Sequence, residues 1–254
     1  MSKKKKLINV VIGLGILVLL WILAAGSSKT GNTVIPSPKE VGEAFKELIE
    51  GGLLFKYIGI SLYRFFAGYI SSVIVAILLG LILGWYTKLW DIVDPIVQVL
   101  RPISPTAWFP FIVIAFGIGN MPAIAIIFIA GFFPVLLSTV SAVKKLDKTY
   151  LKVAGNFEIR GIHLMTKIVV PAIFPYIANA MHIALGTAWI FLVAGEMVGA
   201  QSGLGYLIID ARNNLRTDML LAGIILIGVT GLILDKLIGR AEKFISLKWG
   251  KTID

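Results

Sequence analysis

Side chains capable of chemistry are sparse in this sequence. It holds no cysteine and two histidines, His163 and His182, so disulfides and thiolate nucleophiles are excluded and neither a metal site nor a cofactor is expected. Within long apolar runs stand Arg64, His182 and Glu196; polar groups at such positions are costly and are functional candidates by default. Asn179, His182, Gly186, Trp189, Val193 and Glu196 recur at three- to four-residue spacing, which on a helix gives one partly polar face. That face could line a passage or meet a second copy of the chain. Alternatively, Asn179 and His182 bond neighbouring backbone while Gly186 lets a helix approach. Arg64 and Glu196 fall at similar depth in their runs, so an ion pair is expected. The sharper alternative sets Arg64 against an anionic solute.

A second constellation lies in the polar stretch 144–167. Tyr150, Val153, Ala154 and Phe157 form an i, i+3, i+4, i+7 stripe, with Lys145, Lys148 and Lys152 on the opposite face. A loop helix with such a stripe must bury it against lipid headgroups, its own spans or a partner.

The elements that carry these residues are membrane helices. The 254 residues are 57% hydrophobic and 15% charged, with a mean hydropathy of +0.90. Apolar residues come in blocks of about 20, the length that crosses a bilayer as a helix. Six spans are expected: Leu7–Ala25, Tyr57–Tyr86, Pro95–Ile118 kinked by its prolines, Ala123–Val143, Ile168–Val198 and Met219–Ile238. The first resembles a signal peptide, but 19 apolar residues exceed the usual core of about 7–15 and favour an uncleaved anchor. Between the first two spans, Ser37-Pro38-Lys39-Glu40 reads as a capped start of a short amphipathic surface helix.

Net charge is +10. A soluble protein with that charge could seek nucleic acid, but here the charge follows topology, and no nucleic-acid partner is expected. With both termini inside, Lys and Arg number four at the start, two between spans two and three, six in 144–167 and five in the tail. Outside lie four before span two and two in 199–217. That asymmetry puts both ends in the cytoplasm of a multi-pass cell-membrane protein.

The stretch Tyr150 to Arg160, followed by Ile168-Val169-Val170-Pro171, resembles the EAA loop of ABC importer permeases. Aligned on Pro171, Val153 and Ala154 take the two alanine positions, Lys152 stands at the glutamate and Glu158 at the glycine. Other motifs resemble the nitrate/sulfonate/taurine/bicarbonate subgroup: Ile35-Pro36-Ser37-Pro38, Ser61-Leu62-Tyr63-Arg64 with Gly68-Tyr69, and Arg101-Pro102-Ile103-Ser104-Pro105. So do Trp108-Phe109-Pro110, Gly195-Glu196-Met197 and Ser202-Gly203-Leu204-Gly205-Tyr206 with Asp210-Ala211-Arg212. The resemblance covers roughly residues 34–250.

It implies an all-α type I importer permease (MetI-like) fold. Residues 1–56 would be an anchor with an external helix, 57–240 the permease core and 241–254 a basic cytoplasmic tail. Tyr150, Val153, Ala154, Gly155, Phe157, Arg160 and Gly161 would couple to a cytoplasmic ATPase. Arg64, Asn179, His182, Trp189 and Glu196 are candidates for the passage or solute. Ser202, Gly203, Leu204 and Gly205 are candidates for an outer gate or binding-protein contact. Implied partners are ATPase subunits, an extracytoplasmic solute-binding protein and a second copy of the permease. The chain has no G-x-x-x-x-G-K-[ST] phosphate loop, so nucleotide would be bound by a separate subunit and the chain itself is not expected to be an enzyme. Relatives with such motifs carry small anions, but also neutral thiamine precursors or riboflavin. The rival reading is an ion-driven secondary transporter with Glu196 and His182 as a proton relay, though the halves show no matching repeats. An intramembrane enzyme would need convergent catalytic groups that are not evident, and a bare channel would have no use for the loop stripe.

Overall fold

The computed structural model describes residues 3–26 and 35–248, and among them no strand occurs. The helix α1 (Lys3–Gly26) is followed by α2 (Pro38–Glu50), which begins as its sequence requires. Ser37 Oγ accepts from the Glu40 N–H, and the Glu40 carboxylate accepts from the Ser37 N–H at 2.6 Å. The apolar side of α2 (Val41, Ala44 and Leu48) is buried. α2 packs on α3 (Leu53–Trp85) and on α11 (Thr217–Lys248). Arg216 clips this junction, with Nη2 at 2.7 Å from Glu47 and 2.8 Å from Asp218. The guanidinium holds the Glu47 carboxyl below the ordinary carboxylate range. The Trp21 indole donates to the Pro36 carbonyl at 2.9 Å, tying the end of α1 to the same side.

Four helical segments are long and apolar enough to cross a membrane among the described residues: Leu53–Trp85, Asn120–Lys144, Gly161–Gly199 and Thr217–Arg240. The third expected span is different. It divides into α4 (Thr87–Leu100), a 3₁₀ turn (Pro105–Trp108) and α5 (Phe109–Phe116), bent by 87° at the break. Pro102, Pro105 and Pro110 remove three amide donors within nine residues, and proline excludes the preceding residue from helix. A kink was expected and a break is found. The pair still joins opposite ends of the bundle. Trp90 in α4 lies 5.3 Å from Lys144 Nζ, whereas the Gly119 N–H after α5 bonds the Gly199 carbonyl at the other end.

The centre is built from α3, α6 (Asn120–Lys144) and α9 (Val170–Gly199). Gly68, Ser72, Ala76, Gly80 and Gly84 of α3 are all buried and fall four residues apart, one row along the helix. Against this row α6 lies almost backbone to backbone. A Cβ on Gly68 would stand 2.7 Å from the Ile124 carbonyl oxygen, one on Gly80 2.6 Å from Thr139 Cβ, and one on Gly84 2.7 Å from Val143 Cβ. Lipid tails are as apolar as side chains, so such close packing, not hydrophobic exclusion, must hold the two helices together.

Gly80→Val should therefore separate α3 from α6, costing at least about 1–3 kcal/mol, the usual penalty of overpacking. Thermal unfolding of the purified protein checks this, with Gly59→Val as control because Gly59 has no neighbour within 4 Å. Equal midpoints for both variants would refute the packing argument.

Candidate functional site

Two groups of candidate residues lie at opposite ends of α9. At its Gly199 end the polar residues of three helices and one turn converge. Arg64 is 1% exposed, Glu196 1% and Ser61 0%, so each needs its partners within the protein. Arg64 Nη1 donates to Glu196 Oε1 at 2.7 Å and to the Ser202 carbonyl at 2.6 Å. Its Nη2 donates to Ser202 Oγ at 3.0 Å, and its Nε to Asn120 Oδ1 at 2.8 Å. The guanidinium is thus engaged on all three nitrogens. The Glu196 carboxylate accepts further from Ser61 Oγ, 2.8 Å from Oε2, and from the Gly205 N–H at 2.9 Å. Ser61 Oγ in turn accepts from the Leu204 N–H at 2.9 Å.

The run Ser202 to Gly205, expected as an outer gate, is the cradle of this carboxylate. Gly203 has φ +104°, and a Cβ there would collide with the Glu196 carboxylate. A Cβ on Gly205 would stand 2.6 Å from Glu196 Cβ. The turn then enters α10 (Leu204–Asn213), whose first residues are buried beneath it. The expected ion pair is present, and Arg64 is turned away from any open space.

The polar face expected on α9 does not stay together. Asn179 and Gly186 are exposed, Trp189 and Glu196 are buried. His182 lies between, with Nε2 at 3.2 Å from Asp235 of α11. Trp189 packs edge-on against Phe65, with ring centroids 5.5 Å apart. Gly231 lets α11 pass close, since a Cβ there would be 2.7 Å from the Trp189 indole nitrogen. These residues therefore serve several contacts, and no single lining unites them.

At the other end, α7 (Lys148–Asn156) carries the expected stripe, with Phe157 as its C-cap. Asp147 caps it, accepting from the Thr149 N–H at 2.8 Å, and that bond lowers the Asp147 carboxyl below its ordinary value. Of the stripe, Ala154 is 1% exposed, sealed against the chain itself. Tyr150, Val153 and Phe157 are exposed, as are Gly155, Arg160, Gly161 and the lysines. Glu158 holds φ +54°, so a left-handed turn forms where the glycine of the EAA pattern would stand, and Gly161 adds a second at φ +59°. Beyond it α8 (Gly161–Leu164) and a π-helical turn (Met165–Val169) lead into α9.

Residues 72–246 match the family of binding-protein-dependent transport system inner membrane components. The chain belongs to this family. It is a multi-pass membrane permease of ABC importers of the MetI-like type. One relative, SsuC of Bacillus subtilis (strain 168), named for aliphatic sulfonates transport, is 32% identical over 92% of this chain and 84% of its own. The nitrate import permease NrtB of Synechocystis sp. (strain PCC 6803) is 31% identical over 94% of this chain and 90% of its own. An inward-facing structure of the MetNI methionine ABC transporter superposes with a TM-score of 0.65 at 20% identity. It covers 79% of this permease and 97% of that chain, and it shows the fold.

Arg101 was counted with the cations between spans two and three although it falls within the expected span Pro95–Ile118. Arg101 stands at the break after α4 and lines a cavity with Thr187 and Phe191 of α9. The triple proline was the signal available, since it foretold non-helical backbone there.

Removing one member of the knot leaves a buried charge. Arg64→Leu or Glu196→Leu alone should cost about 3–5 kcal/mol, and the double variant less than either. Denaturant unfolding of all four proteins tests this; additive losses would show that the pair is not coupled. Glu158→Gly should stabilise the turn by about 1–2 kcal/mol, the cost of left-handed backbone in a residue with a Cβ. Slower amide exchange over 154–161 is the expected sign, and unchanged or faster exchange would contradict it.

Proposed function

We propose that this chain forms the passage of an importer for a small oxyanion, driven through α7 by a separate cytoplasmic ATPase. The observation that carries this reading is the surface of α7. Ala154 anchors the helix to its own protein, while Tyr150, Val153 and Phe157 stand 44%, 47% and 74% exposed beside exposed lysines. Apolar side chains at the tip of a basic loop fit a cleft in a partner better than they fit water. Gly155, Arg160 and Gly161 flank that surface and complete the docking stretch within 144–167. Both termini then lie in the cytoplasm with this loop. Residues 57–240 form the core, preceded by an anchor with an outer helix and followed by a basic tail; residues 249–254 of that tail lie outside the described residues.

Two copies of the permease pair around the passage, and an external binding protein delivers solute at the opposite end. The relatives' names supply the solute class, nitrate and aliphatic sulfonates being oxyanions. The Arg64–Glu196 knot is a structural fixture near the outer face in this reading, and its donors are spent on the protein. That also disfavours the ion-gradient alternative, in which Glu196 would have to exchange protons freely.

Phe157→Asp should abolish co-purification of the ATPase and cut solute uptake at least about tenfold, as loss of an interface anchor does. Abundance in the membrane should not change. Full uptake in that variant, or uptake abolished by a protonophore with ATP intact, would overturn the reading.

A further inference from the structure

The break between α4 and α5 places one arginine where a membrane protein can least afford it. Arg101 lines a cavity of about 320 Å³ whose walls are Ile129, Phe133 and Leu137 of α6 with Thr187 and Phe191 of α9. Its depth follows from those neighbours. Thr187 and Phe191 lie 12 and 8 residues from the Gly199 end of α9, or about 18 and 12 Å at helical rise. Ile129 and Leu137 lie 9 and 17 residues from the Asn120 end of α6, about 14 and 26 Å. The cavity therefore sits near the middle of a hydrocarbon core about 30 Å thick.

The buried charge of Arg64 is matched by Glu196, and the half-exposed Asp235 is met by His182. Arg101 has no carboxylate or hydrogen-bonded partner among the described residues, and its side chain is exposed to the cavity. Thr187 offers no competing donor, because its hydroxyl is spent on the Ile183 and Ala184 carbonyls at 3.2 and 3.0 Å. One guanidinium with all its N–H groups free faces apolar walls. A planar fork of donors suits an oxyanion head, and the walls suit a short alkyl body. Bare nitrate would leave those walls without a partner.

We infer that this cavity is the mid-membrane station of the solute, that Arg101 takes its anionic head, and that the favoured solute is a short alkyl oxyanion such as an alkanesulfonate. The inference rests on the importer reading and can fail separately from it. A cation confined to the outer knot could only greet the solute, whereas Arg101 meets it halfway, at the break between α4 and α5.

Uptake of radiolabelled ethanesulfonate, butanesulfonate and nitrate in cells carrying the whole transporter is the test. Wild type should prefer the alkanesulfonates. Arg101→Gln should lower their uptake at least about tenfold, as expected for loss of a charge-assisted contact, and Arg101→Lys should restore part of it. Ala130 also lines the cavity, and Ala130→Leu, which narrows it without touching the charge, should shift preference from butanesulfonate toward ethanesulfonate; a merely structural role would leave that ratio fixed. Transport by Arg101→Gln equal to wild type, or a butane-to-ethane ratio unmoved by Ala130→Leu, would overturn the inference while leaving the importer reading intact. Transport of none of the three anions by wild type would overturn both.

Discussion

A charge buried in this protein must find its partner inside it, because the hydrocarbon around the helices offers none. Arg64 and Glu196 meet that constraint most fully. Their ion pair at 2.7 Å would by itself leave lone pairs and N–H groups stranded. The surrounding bonds from Ser61, Asn120, Ser202 and Gly205 are what make the burial tolerable. Because the pair and its partners come from α3, the start of α6, the end of α9 and the turn into α10, satisfying one ion pair fixes four parts of the chain. The two glycines of the turn are then a geometric necessity, since side chains at 203 and 205 would displace the carboxylate they enclose.

The same constraint explains the row of small residues below the knot. Arg64 begins a four-residue spacing that continues through Gly68, Ser72, Ala76, Gly80 and Gly84, all buried. The row holds α6 at backbone distance along most of its length, so the knot sits on a rigid pair of helices. Rigidity there leaves motion to places where helical bonding is already broken. Such places include residues 101–104, the left-handed turns at Glu158 and Gly161, and the π-helical turn before α9.

Much of this was legible in the sequence for physical reasons. The capping box at Ser37 needs only local bonds, and it formed as read. The stripe at Tyr150 to Phe157 needs only helical period, and α7 formed over it with Phe157 as its C-cap. The pairing of Arg64 with Glu196 followed from depth and cost alone. What the sequence did not disclose depends on tertiary distance. Periodicity could group Asn179, His182, Trp189 and Glu196 on one face, but not show that α3 and α11 would cover different parts of it. It could not distinguish Ala154, turned inward, from Val153 beside it. Nor could proline count alone separate a kink from an 87° break, or set Arg101 beside Thr187 and Phe191 of α9.

Placing the break, the turns and the knot together gives the permease a simple mechanical logic. α9 is 30 residues long, a rod of about 45 Å with the α7 turn at one end and Glu196 at the other. On the coupling reading, a push on α7 would enter α9 through Gly161 and the π-helical turn. At the far end it meets the knot, which cannot open without exposing a charge to hydrocarbon, so α9 must carry Ser61, Arg64 and α10 along with it. Relative movement would then fall at residues 101–104, where helical bonding is broken. On the coupling reading, the solute's station would be the part that changes shape while both ends of α9 move as one body. The costly placement of Arg101 is consistent with that role, since a charge that must bind and release cannot be given a permanent partner.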